Sequence, residues 1–252
     1  MSGCSYHAYR LGEKSAGNIG CCRALENIAK LPMENKHLAL PNQRNVEYGY
    51  ERAYELACEQ LAKLDNIEQQ CRNSGAQYLV VDSQKIVILE YLNQSYQITL
   101  PALEISLVNS KEEVPLEDKV LLLHYLTSAK GTPITKKLIT FRELPEGSNY
   151  FRTFWQRAIK PLVDHFGSEP QLLVDAARKL DGLKADYGDV AVTINAFPRV
   201  PVTLVLWRGD EEFAPEGSII FDSTISDYLS TYDITVLCET IAWRLVKYLK
   251  EV

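Results

Sequence analysis

The sequence predicts an α+β fold: antiparallel sheet segments with packed helices and a helical C-terminus. Three observations lead there. Short β-branched and aromatic runs follow one another between Gln77 and Leu100, separated by turn residues. Apolar stripes at helical spacing recur elsewhere, most clearly at Leu237, Ile241, Leu245 and Tyr248. Strands and helices come in blocks rather than in strict alternation, which separates α+β from α/β. A chain of 252 residues is long enough to bury a core without staples.

Residues 1–45 read as an N-terminal extension and 46–252 as a single α+β domain. The extension holds Cys4, Cys21, Cys22, His7 and His37 and shows little apolar periodicity. Cys22–Lys30 fits a short helix, and Pro32 and Pro41 break the chain after it. A helical stripe then begins at Tyr48, through Tyr50, Tyr54, Ala57, Leu61 and Leu64, with Gly75 as its stop. Gln77–Val81, Lys85–Tyr91 and Ser95–Leu100 form a meander turning at Asp82-Ser83 and Asn93-Gln94, with Glu104–Val108 as a fourth strand. Pro115 opens a helix with Leu116, Val120, Leu123 and Thr127 on one side, ended by Gly131 and Pro133.

Ile134–Arg142 reads as a strand and Pro145-Glu146-Gly147 as a turn. Phe151, Phe154, Trp155, Ala158 and Leu162 line a helix that Pro161 kinks or restarts. Ser168-Glu169-Pro170-Gln171 has the pattern of a capping box for the next helix, which Gly182 stops. Asp189–Phe197 and Val202–Trp207 are strands, the second apolar enough to be covered on both faces. Arg208–Gly217 is a polar loop, Ser218–Phe221 a short strand, and Asp222 or Ser223 caps a short helix through Leu229. Asp233 is the expected cap of the last helix.

The net charge of −6 argues against a basic nucleic-acid-binding face. No apolar run approaches the ~20 residues needed to span a bilayer. Met1–Cys22 lacks the apolar stretch of a secretory signal, so the expected setting is cytoplasmic, with the six cysteines as thiols. Phosphate loops, dinucleotide fingerprints, His-Glu-x-x-His and Cys-x-x-Cys are all missing, and the thiols and imidazoles of the extension match no standard metal spacing.

Two segments carry the chemistry that remains. In the first, Arg199 sits in a proline-flanked turn, and Trp207 leads into Asp210, Glu211, Glu212 and Phe213. These carboxylates suit a hard cation or acid–base work, but an acidic solvated loop has the same composition. In the second, Arg142 and Glu143 stand at a strand end near Tyr150, where a pocket wall and a structural ion pair look alike in sequence. His124 reads as a partly buried, satisfied histidine.

Tyr50-Glu51-Arg52-Ala53-Tyr54, His124-Tyr125-Leu126, Gly131-Thr132-Pro133, Phe141–Pro145, Gly188-Asp189, Pro198–Pro201, Trp207–Phe213 and Phe221-Asp222 together resemble the family of the domain of unknown function 3786, from about Tyr48 to Leu249. The family is typical of anaerobic bacteria and archaea. Some members are joined to a four-cysteine iron–sulfur module similar to one in corrinoid iron–sulfur proteins. The resemblance therefore implies, by association, anaerobic metabolism with a corrinoid or other tetrapyrrole cofactor or a cofactor-bearing partner protein. The cysteines of the extension depart from that module's spacing, so no cluster carries over.

The expectation is a binding or accessory protein with one cleft: Arg199, Trp207 and Asp210–Phe213 on one wall, and Arg142, Glu143 and Tyr150 on the other. Arginine would grip a carboxylate or phosphate and tryptophan would cover a flat ring. The rivals are an enzyme using Asp210, Glu211 or Glu212, and an interaction subunit without a small ligand.

Overall fold

The computed structural model describes residues 43–250, with side chains from Gly49 onward. Expectations placed on residues 1–42, including the cysteine-bearing segment, lie outside the described residues. The fold is α+β, with two antiparallel sheets and a helical C-terminus.

The first stretch forms two helices rather than one. Helix α1 spans Gln43–Ala62 and α2 spans Ile67–Ser74. The break has a local cause: the Asn66 side chain accepts from Gln69 N at 2.9 Å and starts a new helix. Gly75 ends α2 in the left-handed conformation, as its position in the sequence suggested.

The meander follows as β1 (Gln77–Val81), β2 (Gln84–Tyr91), β3 (Gln94–Leu100) and β4 (Glu104–Leu107), paired in sequence order. Val87, Leu89 and Tyr91 are buried on alternate positions of β2, as are Tyr96 and Ile98 on β3. Helix α3 spans Leu116–Ser128.

The second sheet comprises β5 (Leu138–Thr140), β6 (Leu183–Ala185), β7 (Val190–Phe197), β8 (Val200–Trp207) and β9 (Glu216–Asp222), in the order β5-β9-β8-β7-β6. Every residue of β8 from Val202 to Leu206 is buried, so the strand is covered on both faces. A register shift between Asn195 and Phe197 marks a bulge, and there Leu92 N donates to Ala196 O at 3.0 Å, joining the two sheets.

The expected strand over Ile134–Arg142 shrinks to Leu138–Thr140. Before it, Lys136 has a positive φ of 62°; after it, Phe141–Glu143 is a 3-10 turn. Helices α4 (Gly147–Phe154) and α5 (Lys160–Phe166) are joined by a π-helical turn over Trp155–Ile159. Pro161 sits in the first turn of α5, so it restarts the helix where an N–H would be missing. Helix α6 (Gln171–Ala177) starts at Pro170 with no side-chain cap, so the expected Ser168 capping box is not formed. Helix α7 spans Thr231–Leu249 and is capped by Ser230, with Asp233, the third residue of its first turn, as the reciprocal partner rather than the cap itself.

Helix α3 is shared between two cores. Leu121, Leu122 and Tyr125 belong to the larger one, built around the second sheet and α7. Leu123 and Leu126 pack with Ala57, Leu61, Cys71, Val87 and Ile98 in the smaller one. One ion pair and one histidine–carboxylate hydrogen bond lock α3 to α7. Arg244 reaches buried Asp118 at 2.6 Å, where Tyr91 OH also donates at 2.9 Å, and His124 Nδ1 lies 2.8 Å from Asp233. His124 is thus a satisfied histidine, as read from the sequence. Among the described residues no helix is long and apolar enough to cross a membrane.

Candidate functional site

The β7–β8 hairpin turns on Pro198 and Arg199, with Phe197 paired to Val200 on either side. This turn is pressed against the end of α2. A Cβ added to Gly75, whose φ is +77°, would lie 2.9 Å from Pro198 Cβ and 3.7 Å from Arg199 Nε. Only glycine allows both that backbone conformation and that approach.

Tyr125 ties the same place to α3. Its hydroxyl donates to Ser74 O at 2.6 Å and accepts from Arg199 N at 3.2 Å. Its ring stacks on Phe197 at 4.1 Å between centroids and lies 5.8 Å from Tyr228. Burial raises the pKa of both phenols, and the positive charge of Arg199 acts on each in the opposite direction.

The segment Lys130–Lys136 forms a strap beside this cluster. Tyr228 OH donates to Thr132 O, and Thr132 Oγ1 and Lys130 Nζ donate to Asp227, each at 2.8 Å. Gly131 (φ +80°) rests on Asn73, so the strap also touches α2. Its far end is held by Asp222, which is 2% exposed. That carboxylate accepts from Lys136 N at 2.6 Å, Thr135 Oγ1 at 3.0 Å and Thr224 Oγ1 at 2.8 Å. Burial pushes the Asp222 pKa up, but the bonds from Thr224 and Thr135 outweigh it and hold the group below the usual carboxylate range.

Arg199 itself is half-buried. Among the described residues its guanidinium has no hydrogen-bond or ion-pair partner; its only hydrogen bond is through the backbone N–H. The carbonyl end of α2 offers it only the partial negative charge of a short helix. A half-buried cation without a counter-ion can still accept an oxyanion from solution.

The residues gathered here, Tyr125, Gly131, Thr132, Pro198, Arg199 and Asp222, come from four separate segments of the resemblance. The sequence profile of the domain of unknown function DUF3786 matches residues 66–244, more than half of the chain. The chain belongs to the DUF3786 family. No curated protein and no solved structure matches it.

Within this DUF3786 domain the single cleft expected from the sequence does not form. Arg199 precedes β8 and Trp207 ends it, so eight residue steps of about 3.3 Å put them roughly 25 Å apart. Arg142 leaves the edge strand β5, and its guanidinium carbon lies 3.5 Å from the centre of the Phe151 ring, a cation–π contact. Glu143 turns back to accept from Thr140 N at 2.7 Å and Thr140 Oγ1 at 2.9 Å, which hold its pKa down. Both side chains are therefore spent on local structure, and Tyr150 lies exposed on α4.

Trp207 is 41% exposed, with its ring edge over Gly188. Asp210, Glu211, Glu212 and Phe213 do line one open cleft of about 470 Å³, together with Arg208 and Gly167. Asp210 is not poised for proton transfer there. Its Oδ1 accepts from Glu212 N at 2.8 Å and Phe213 N at 2.7 Å, and these backbone donors lower its pKa. Among the described residues no three His, Cys, Asp or Glu side chains converge as a metal site.

Sequence reasoning found Arg199 but missed its company. Tyr228 carried no signal of its own. Tyr125 and Thr132 were visible only as parts of the family resemblance, and Asp222 otherwise only as a candidate helix cap.

Proposed function

We propose that this DUF3786 protein is a binding or accessory protein that grips a carboxylate or phosphate of a cofactor, or of a cofactor-bearing partner, through Arg199. The observation that carries this reading is a half-buried arginine without an acidic partner among the described residues, on a turn that Gly75 and Pro198 fix and whose backbone N–H donates to the Tyr125 hydroxyl. A planar five-donor group of this kind suits bidentate oxyanions. The corrinoid or iron–sulfur character of the cofactor, the anaerobic metabolism and the cytoplasmic setting draw their support from the family resemblance alone. The enzyme alternative draws little, because Asp210 is occupied in closing its own turn.

Calorimetric titration with inorganic phosphate and with butyrate tests the reading. The wild-type protein should bind at least one of them saturably. Arg199→Gln should weaken that binding about tenfold, in line with roughly 1.4 kcal/mol for a charge-assisted hydrogen bond, and Arg199→Lys should recover part of it. Unchanged denaturant midpoints would show that the turn stays folded. Binding by neither probe, or equal binding by the glutamine variant, would sink the reading.

A second reading, an interaction subunit, is favoured by one observation. Tyr150, Trp155, Tyr232 and Trp243 are all exposed on α4, the π turn and α7, and the π turn and α7 pack on each other.

A further inference from the structure

The described domain has a second concavity, remote in sequence from Arg199. It is a groove of about 360 Å³ between the end of α1, the start of α2 and the β2–β3 side of the first sheet. That volume falls at the lower end of the roughly 300–1,000 Å³ range of small-molecule sites. Its walls are predominantly aliphatic. Leu64, Ile67, Leu100 and Leu103 each pack one side against the smaller core and stay half-buried, so their remaining apolar area faces the groove.

One charge stands in this lining. Lys85, the second residue of β2, is exposed and has no ion-pair or hydrogen-bond partner among the described residues. No carboxylate lines the groove with it. The lining is therefore complementary to a molecule with an aliphatic body and one negative end. A neutral apolar molecule would leave Lys85 unused, and a polyanion would leave the leucines unused.

We propose that this groove is a binding site for a single small aliphatic carboxylate, with the chain against Leu64, Ile67, Leu100 and Leu103 and the carboxylate at Lys85. The site goes beyond the Arg199 reading and does not depend on it. The groove arises from the helix break that sequence periodicity did not reveal. Leu64 lies in the linker between α1 and α2, and Ile67 opens α2.

The test is a chain-length series of hexanoate, octanoate and decanoate, below micellar concentrations, followed by calorimetry on the full chain. Each added methylene should tighten binding roughly three- to fourfold while the groove still has room, and the gain should stop once it is full. Octan-1-ol separates the charge from the chain: Lys85→Gln should weaken octanoate binding about two- to fivefold and leave octanol unchanged, as expected for an exposed ion pair. Ala62→Phe, at an exposed position on the groove wall, should block both ligands while the denaturant midpoint stays near wild type. No saturable binding, a flat chain-length series, or full binding by the phenylalanine variant would overturn the proposal. Equal loss of octanoate and octanol in Lys85→Gln would also overturn it. Because Arg199→Gln should leave the series untouched, the two sites fail or stand separately.

Discussion

At the scale of single residues, the Arg199 turn rests on an absent side chain. Gly75 combines a φ of +77° with a neighbour 2.9 Å from where its Cβ would sit. Gly49, inside α1, has nothing within 4 Å of that position. The same substitution should therefore have opposite signs at the two sites. Gly49→Ala should stabilise by about 0.5–1 kcal/mol, because alanine loses less chain freedom in a helix. Gly75→Ala should cost about 1–3 kcal/mol through left-handed strain and the collision with Pro198. Urea midpoints of the two variants check this, and two shifts of the same sign would contradict it. Gly75→Ala should also weaken any anion bound at Arg199, since the turn must move away to admit the methyl group.

At the scale of elements, the strap Lys130–Lys136 depends on the Asp222 carboxylate. The folded-state pKa of Asp222 is depressed relative to an unfolded value near ~3.9. Its contribution is therefore fully present above about pH 4 and is lost as pH falls through the lower folded value. Asp222→Asn replaces one acceptor oxygen with a donor facing Thr135 or Lys136. At pH 7 it should cost about 2–3 kcal/mol. As pH falls below about 4 the carboxyl of the unfolded chain takes up a proton before the folded one does, so the gap between the two proteins should narrow. Urea unfolding at pH 7 and at about pH 3 measures it, and a pH-independent gap would rule out the clamp. The strap also shows where sequence reading stops. The meander, α3, the β7–β8 hairpin and α7 were legible because each follows from a period and its local punctuation. The strand expected over Ile134–Arg142 was not, because the apolar residues there are β-formers overruled by a carboxylate nearly ninety positions away. The pairing of Arg199 with Trp207 failed for a different reason: both belong to one segment of the sequence, but they stand at opposite ends of the eight-residue strand between them.

At the scale of the whole molecule, α3 decides whether two cores unfold as one. Tyr125 and Leu122 sit in the larger core while Leu123 and Leu126 sit in the smaller, so the two sides of one helix cannot be released independently. The Arg244–Asp118 ion pair, the His124–Asp233 hydrogen bond and the Leu92–Ala196 hydrogen bond add to that coupling. The three tryptophans provide a selective probe. Trp155, Trp207 and Trp243 lie on the π turn, β8 and α7, all on the side of the larger core, whereas far-ultraviolet circular dichroism reports on both sides. Leu123→Ala removes a fully buried side chain from the smaller core only. It should cost about 2–5 kcal/mol. If α3 couples the cores, that cost should appear in full in the tryptophan signal, and the fluorescence and dichroism midpoints should coincide in wild type and variant alike. If the dichroism midpoint falls while the tryptophan midpoint stays at the wild-type value, the first sheet with α1 and α2 is a separately melting unit. The groove at Lys85 would then belong to that unit, and octanoate should raise only the dichroism midpoint. In a coupled domain, a ligand in the groove raises both midpoints together, because it acts on the same folded state that holds Arg199 in place.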